Sequence, residues 1–196
     1  VKKLLEFIKS NYELESDKSK SFLAHLCGDV GIERYTYLKQ AVSIFVENGP
    51  KSPRNLIVDL GFNMKHDKFP SIHIVMPAEN YGQNAINLDQ GSNETIQDEE
   101  SGEIREVMGR RYSASYDIVI FSDNSNEVVL IYHILRALLT SGTYHLSCNG
   151  LQNIKATGTD LSPYMDIAPK NVFSRALRVQ LEYETKTLSL YAGKYP

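Results

Sequence analysis

The sequence predicts a single α+β domain, residues 1–196, in which a mainly antiparallel sheet is backed by a central helix. Three observations predict this class. A strand followed at once by a capped helix occupies residues 112–139, and apolar residues alternate with a period of two in the segments that flank it. The first 50 residues instead carry helical periodicity.

The strand and helix of residues 112–139 are the centre of the predicted fold. Apolar residues alternate from Tyr112 and occupy both faces at the end of the strand, which is typical of a central strand. Asn124 is a candidate helix N-cap, and Glu127 lies three residues later, where its carboxylate can reach back. Gly142 favours a helix end. The predicted buried stripe of this helix is Val128, Ile131, Leu135 and Leu138.

Residues 1–50 are predicted to form a helical N-terminal region. The first helix is amphipathic, with Leu4, Leu5 and Ile8 on one side. A second helical stripe runs from Ile32 to Val46 and ends before Gly49-Pro50. The tail of this stripe is rich in β-branched and aromatic residues, so a strand is the alternative interpretation there.

Residues 54–77 and 112–185 are predicted to form the sheet-plus-helix core. In the first segment, alternation predicts a strand around Leu56 to Phe62 and another over Ser71 to Met76, closed by Pro77. Their short separation favours an antiparallel hairpin. A further strand is predicted over 151–157.

The last predicted strand, Phe173 to Glu184, has two contrasting faces. Its apolar face carries Leu177 and Val179, whereas Arg178 and Glu182 point the other way. We expect this strand to be a free edge of the sheet, with its polar side chains directed to solvent or to a neighbouring molecule.

Residues 78–111 form a long polar segment, predicted to be an extended arm. Its second half has Ser101-Gly102 at its centre, a pattern that fits an exposed β-hairpin. A two-stranded ribbon with so few apolar residues is marginal alone, so it should become ordered against a partner. A merely flexible insertion is the alternative.

Composition excludes few functions outright, but it argues against several classes of function. A net charge of −3 argues against a dedicated nucleic-acid binder. Two distant cysteines cannot build a zinc framework, and no cofactor is indicated. The sequence has no apolar run of membrane-spanning length and no signal peptide, so we expect a cytosolic protein that does not contact membranes.

Candidate chemistry is sparse, and we expect no catalytic or metal-binding residues. His25 and Cys27 lack further ligands, and His66, Asp67 and His73 fit a charged turn better than a site. The best enzymatic alternative is a Mg²⁺-dependent nuclease, whose site would combine carboxylates and a lysine at a strand end. Its residues would be Glu182, Glu184 and Lys186, with Asp59, Asp117 or Asp166.

The pair Arg110-Arg111 beside Tyr112 is the one candidate for contact with phosphate groups. Two arginines within an acidic surrounding make a weak electrostatic site for nucleic acid. Salt bridges to the acidic arm explain the pair equally well.

The order of these elements resembles that of tail-terminator and related head–tail neck proteins of long-tailed bacteriophages. The resemblance covers roughly residues 54 to 185 and includes paired strands ending IHIVMP, a polar excursion, and YDIVIFSDNSNEVVLIYHILRALL. It implies a small antiparallel sheet backed by helices. It also implies closed homo-oligomeric rings, commonly hexamers, that terminate the tail tube and join tail to head, without an active site.

The resemblance therefore implies partners and a location. The partners would be copies of the chain and other neck and tail-tube proteins, while genomic DNA would pass without sequence-specific binding. The protein would lie in the virion neck, and in the host cytoplasm during assembly.

Head-to-tail ring contacts need complementary surfaces and projecting segments. The candidate interface residues are Ile96, Ile104, Val107, Arg110, Arg111, Arg178 and Glu182. A small adaptor module that orders its arm on a host protein is the remaining alternative.

Overall fold

The computed structural model describes residues 2–28, 34–47, 56–61, 69–81, 93–97, 104–159 and 172–188, which form helices and one mixed sheet. The α-helices are α1 Lys2–Leu14, α2 Phe22–Gly28, α3 Arg34–Phe45, α4 Ser125–Ser141 and α5 Thr143–Cys148. The strands are β1 Ile57–Leu60, β2 Ser71–Tyr81, β3 Asn93–Gln97, β4 Ile104–Ser122, β5 Leu151–Thr159 and β6 Phe173–Leu188. The predicted α+β class is confirmed.

Strand β4 is the centre of the sheet, whose order is β1-β2-β4-β6-β5, with β3 also paired to β4. Its 19 residues pair antiparallel with β6 from Val107 to Ser122. On its other side it pairs first with β3 and then with β2. The predicted central strand is therefore confirmed, but it is longer than the sequence pattern suggested.

The helices cover one face of the sheet and enclose the main core there. Alternate positions of β4 and β6 contribute Ile118, Ile120 and Leu177 to this core, which also includes Ile8 of α1 and Leu135 of α4. The opposite face carries a smaller apolar cluster at the same end of the sheet, formed by Val119, Phe121 and Ala176. Both faces of β4 are therefore buried near its C-terminal end, as the apolar residues on both faces predicted.

The N-terminal region is helical as predicted, and α3 extends through the ambiguous stretch to Phe45. Ile8 is fully buried, while Leu4 and Leu5 pack against the core beside it. This burial confirms the predicted apolar side of α1. Within the described residues, no helix is both long enough and apolar enough to cross a membrane.

Helix α4 begins and ends where the sequence predicted. The Asn124 side chain accepts a hydrogen bond from the Asn126 backbone N–H at 3.0 Å. The buried Glu127 carboxylate reaches back as far as Ser122, whose hydroxyl donates to it at 2.7 Å. Gly142 is the C-cap, and its backbone N–H donates a hydrogen bond to the Leu138 carbonyl oxygen. A Cβ at this position would lie only 2.9 Å from that oxygen, which favours glycine there. The whole predicted stripe of this helix is buried, at about 1.5–3 kcal/mol for each large apolar side chain.

The predicted antiparallel hairpin of β1 and β2 is wrong, because these strands pair in parallel, with Ile57 opposite Ser71 and Leu60 opposite Ile74. Alternation of apolar residues reports which face of a strand is buried, but it does not report the strand's direction. The prediction that Pro77 closes β2 is also wrong. A register shift between Val75 and Ala78 accommodates the proline, which has no N–H to donate to the ladder.

The prediction that β6 is a free edge is wrong as well. It lies between β4 and β5, so β5 is the outer strand on that side. The β5 edge has a register shift between Gln152 and Lys155, and Asn153 there adopts a positive φ of 51°. A bulge and an exposed lysine are features that discourage unspecific strand pairing at an edge.

The predicted arm, residues 78–111, is in part continuous with the sheet. Residues 78–81 extend β2, and residues 104–111 form the first part of β4. The predicted hairpin is present as the antiparallel pair β3 and β4, with Gln97 opposite Ile104. Residues 82–92 and 98–103 lie outside the described residues.

Candidate subunit interface

The outer half of β4, residues 104–111, carries most of the predicted interface residues. In the strand register Ile96 lies opposite Arg105, Ile104 opposite Gln97, and Val107 opposite Glu94. Val107 also lies opposite Leu188 of β6, so the base of this hairpin is three strands wide. A third strand supplies backbone pairing that an isolated two-stranded ribbon would lack.

An aromatic cluster fixes the outer half of β4 to the rest of the sheet. Tyr112 of β4 and Tyr183 of β6 are cross-strand partners whose rings stack with centroids 5.7 Å apart. The Tyr183 hydroxyl donates a hydrogen bond to the Glu79 carboxylate of β2. Three adjacent strands are thereby tied together at this level. This cluster could not be predicted from the sequence, because its members are separated by up to 104 residues.

Arg110 and Arg111 are both exposed on the outer half of β4. Because successive side chains of a strand alternate, the two guanidinium groups extend from opposite faces of the sheet. In the register Arg111 lies opposite Glu184 of β6, on the same face. The two arginines therefore do not form one continuous basic surface, which would be the footprint of a nucleic-acid site.

Arg178 was predicted to face solvent or a neighbour, but it pairs within the chain. Its guanidinium donates two hydrogen bonds of 2.7 Å to the two carboxylate oxygens of Asp117, whose side chain is fully buried. The two residues are opposite each other on β4 and β6. A buried carboxylate needs such a charged partner, since its desolvation would otherwise be very unfavourable.

Glu182 also has a partner in its own chain. Its Oε2 accepts a hydrogen bond of 2.8 Å from the side-chain amide of Asn153, at the bulge of β5. This contact crosses from β6 to the neighbouring strand. It follows from the inner position of β6 in the sheet, which the free-edge prediction did not anticipate.

The residues considered for metal or nuclease chemistry do not gather in the described structure. Asp117 is held by Arg178, and Asp59 lies on β1, with β2 between it and β4. On α2, His25 is exposed while Cys27 is buried. His66, Asp67 and Asp166 lie outside the described residues. Among the side chains the structure describes, no group of three or more His, Cys, Asp or Glu residues could hold a metal ion.

A cationic patch, defined as His133, Arg136 and Arg175, lies where α4 crosses β6. The Arg175 guanidinium sits 4.1 Å above the ring of Tyr132, which is buried. His133 contacts the same ring edge-on at 5.4 Å, and Arg136 follows one helical turn later. The sequence could not predict that Arg175 lies beside His133, because 42 residues of chain separate them (175 minus 133).

The electrostatics confirm that these three groups are neighbours. Burial lowers the pKa of the His133 imidazole below its ordinary value of 6.5, and the nearby positive charges of Arg175 and Arg136 lower it further. Within the described part of the chain, neither Arg136 nor Arg175 forms a salt bridge with a carboxylate. Among the described residues, the two guanidinium groups of the patch therefore have no carboxylate to compensate their charge.

Comparisons with known proteins add no identification. No protein-family model matches the chain, and a search of curated proteins finds no match either.

We expect Arg178→Ala to lower the free energy of unfolding by about 2–3 kcal/mol, because it removes the guanidinium that pairs with the fully buried Asp117 carboxylate. This loss of stability lies at or below the low end of the values found when one partner of a buried ion pair is removed, since the Arg178 side chain is 37% exposed. Urea denaturation measures it. Gln180→Ala, an exposed change on the same face of β6, should stay within about 0.5 kcal/mol of the parent. Equal effects of the two substitutions would contradict the role given to the ion pair.

Arg175→Gln should raise the pKa of His133 toward its ordinary value, because it removes a positive charge that disfavours the imidazolium. The folded-state pKa of His133 lies below its unfolded value. Its neutral form therefore contributes stability above pH 6.5 that is lost as the pH falls through the folded-state pKa. An NMR titration of the imidazole protons measures the shift. Lys155→Gln, which removes an exposed charge on β5, should leave the titration unchanged.

Proposed function

We propose that this protein is a structural, ring-forming component of the neck of a long-tailed bacteriophage, where it terminates the tail tube and joins tail to head. The observation that carries the proposal is the continuation of the central strand out of the core. Among the β4 side chains that the structure describes, those in the two apolar clusters come from residues 118–121, yet the strand begins at Ile104. A ring subunit needs such a projecting segment to reach its neighbour.

The order and arrangement of elements support the same proposal. The resemblance implies a mainly antiparallel sheet backed by helices, and the described chain has one, with α4 packed on the strand that precedes it. Head-to-tail contacts between copies join two different surfaces, so a projecting hairpin on one copy must meet a receiving surface on the next. The described chain offers two different surfaces of this kind, a hairpin formed by β3 and β4 and a layer of helices on one face of the sheet.

The charge balance supports a passive relation to DNA. The chain has a net charge of −3, and its basic residues Arg110 and Arg111 lie on opposite faces of one strand. A conduit wall that carries little net positive charge binds few phosphates and lets DNA slide. The proposed location is the virion neck, with assembly in the host cytoplasm.

Native mass spectrometry and electron microscopy of the purified protein, alone and with tail tubes, test this proposal. We expect one closed ring of defined subunit number, because heterologous contacts that close exclude open-ended growth. A particle that remains monomeric even when mixed with tail tubes would overturn the proposal. Cleavage of DNA by the purified protein would favour the nuclease alternative.

Removal of the hairpin tests which segment makes the ring. Replacing residues 93–106 by a short Gly-Ser linker keeps the β4 positions that pair with β6. We expect a folded monomer with the circular dichroism spectrum and cooperative unfolding of the parent. A ring of unchanged subunit number would contradict the role of the hairpin. A parent that is monomeric and loses binding to a host protein on the same replacement would instead be an adaptor.

A further inference from the structure

The cationic patch carries positive charge on the surface where α4 crosses β6. Arg136 and Arg175 are exposed, and Arg175 is fixed in place by its position over the Tyr132 ring. No carboxylate in the described residues pairs with either guanidinium. Arginine is the side chain best suited to bind a carboxylate group through two hydrogen bonds, so this surface is suited to an acidic ligand.

The chain contains one segment of matching charge. Residues 98–103 have the sequence DEESGE, which holds four carboxylates in six residues and no basic residue. These residues connect Gln97 of β3 to Ile104 of β4, which are paired across the hairpin. We call this segment the acidic loop.

The acidic loop cannot reach the patch of its own chain. Arg175 lies opposite Ile120 on β4, and Ile104 is 16 residues earlier on the same strand (120 minus 104). At about 3.4 Å per residue, the strand separates the two levels by roughly 50 Å. Six residues of fully extended chain span only about 20 Å, so the two charges cannot meet within one molecule. Two copies, however, can bring them together.

We propose that the cationic patch of one copy receives the acidic loop of a second copy, so that the two opposite ends of β4 form the head-to-tail contact of the assembly. This inference rests on the proposed ring-forming function and names the surfaces that make the ring. Each copy donates a loop and offers a patch, which is the arrangement that propagates a heterologous contact around a closed ring. A contact made by exposed charges also speeds association and weakens with added salt.

Charge reversal on each side tests the contact by native mass spectrometry and sedimentation at low salt. The loop variant changes Asp98, Glu99 and Glu100 to Lys, and the patch variant changes Arg136 and Arg175 to Glu. We expect each variant alone to weaken assembly by roughly 100-fold in the subunit dissociation constant, because like charges then face each other. The loop variant leaves Arg175 over Tyr132, so it remains informative if the patch variant disturbs local packing.

Mixing the two variants tests more directly whether the loop and the patch pair with each other. A 1:1 mixture of the loop variant and the patch variant should assemble again, in alternation, because each then offers charges opposite to those of its neighbour. The matched control is Lys39→Glu with Lys155→Glu, which makes the same change of −4 in net charge at exposed positions on α3 and β5. The control should assemble like the parent.

Five outcomes would overturn the inference. Parent-like rings from both variants would exclude the proposed contact but not the ring-forming function. A parent that never assembles would exclude both. Failure of the mixture to assemble, or equal loss in the Lys39 and Lys155 control, would show that the effect is not a specific pairing. Binding of a short DNA duplex that is lost only in the patch variant, with rings intact, would assign the patch to nucleic acid.

Discussion

The continuous antiparallel pairing of β4 with β6, from Val107 to Ser122, is the constraint on which the rest of the structure depends. One 19-residue strand is paired with β6 along most of its length on one side, and with β3 and then β2 on the other. At its C-terminal end both faces are buried, so this end fixes the positions of the helices and of the second apolar cluster. At its N-terminal end the strand continues beyond the residues of these clusters and pairs with β3 and β6. The same strand therefore serves as the centre of the fold and as the proposed support of the contact between subunits.

Local features of the fold could be predicted from the sequence, because they depend on residues close together in the chain. Asn124 and Gly142 define α4 through hydrogen bonds within four residues, and the alternation after Tyr112 identifies a strand. The direction of β1 relative to β2 and the inner position of β6 could not be predicted. Both depend on pairing between distant segments, for which the apolar pattern is the same in either arrangement.

The same limit applies to the candidate interface. Residue type alone suggested that Arg178 was available to a neighbour, but its partner Asp117 lies 61 residues earlier and becomes visible only through the register of β4 and β6. Conversely, no sequence pattern distinguishes Arg136 or Arg175, since neither belongs to a basic run. The crossing of α4 over β6 brings them together and fixes one of them over Tyr132. The sequence predicted the hairpin as a projecting element, and the topology brings together the arginines of the surface that we propose it contacts.

Amide hydrogen exchange of the assembled and dissociated protein tests most directly the claim that β4 serves both purposes. The account predicts that peptides covering residues 113–121 exchange slowest in both states, since they lie in the core of the sheet. Peptides covering residues 93–107 should exchange at least about tenfold more slowly after assembly, because the neighbouring subunit then stabilises the hairpin. Identical exchange of residues 93–107 in the two states would contradict the account.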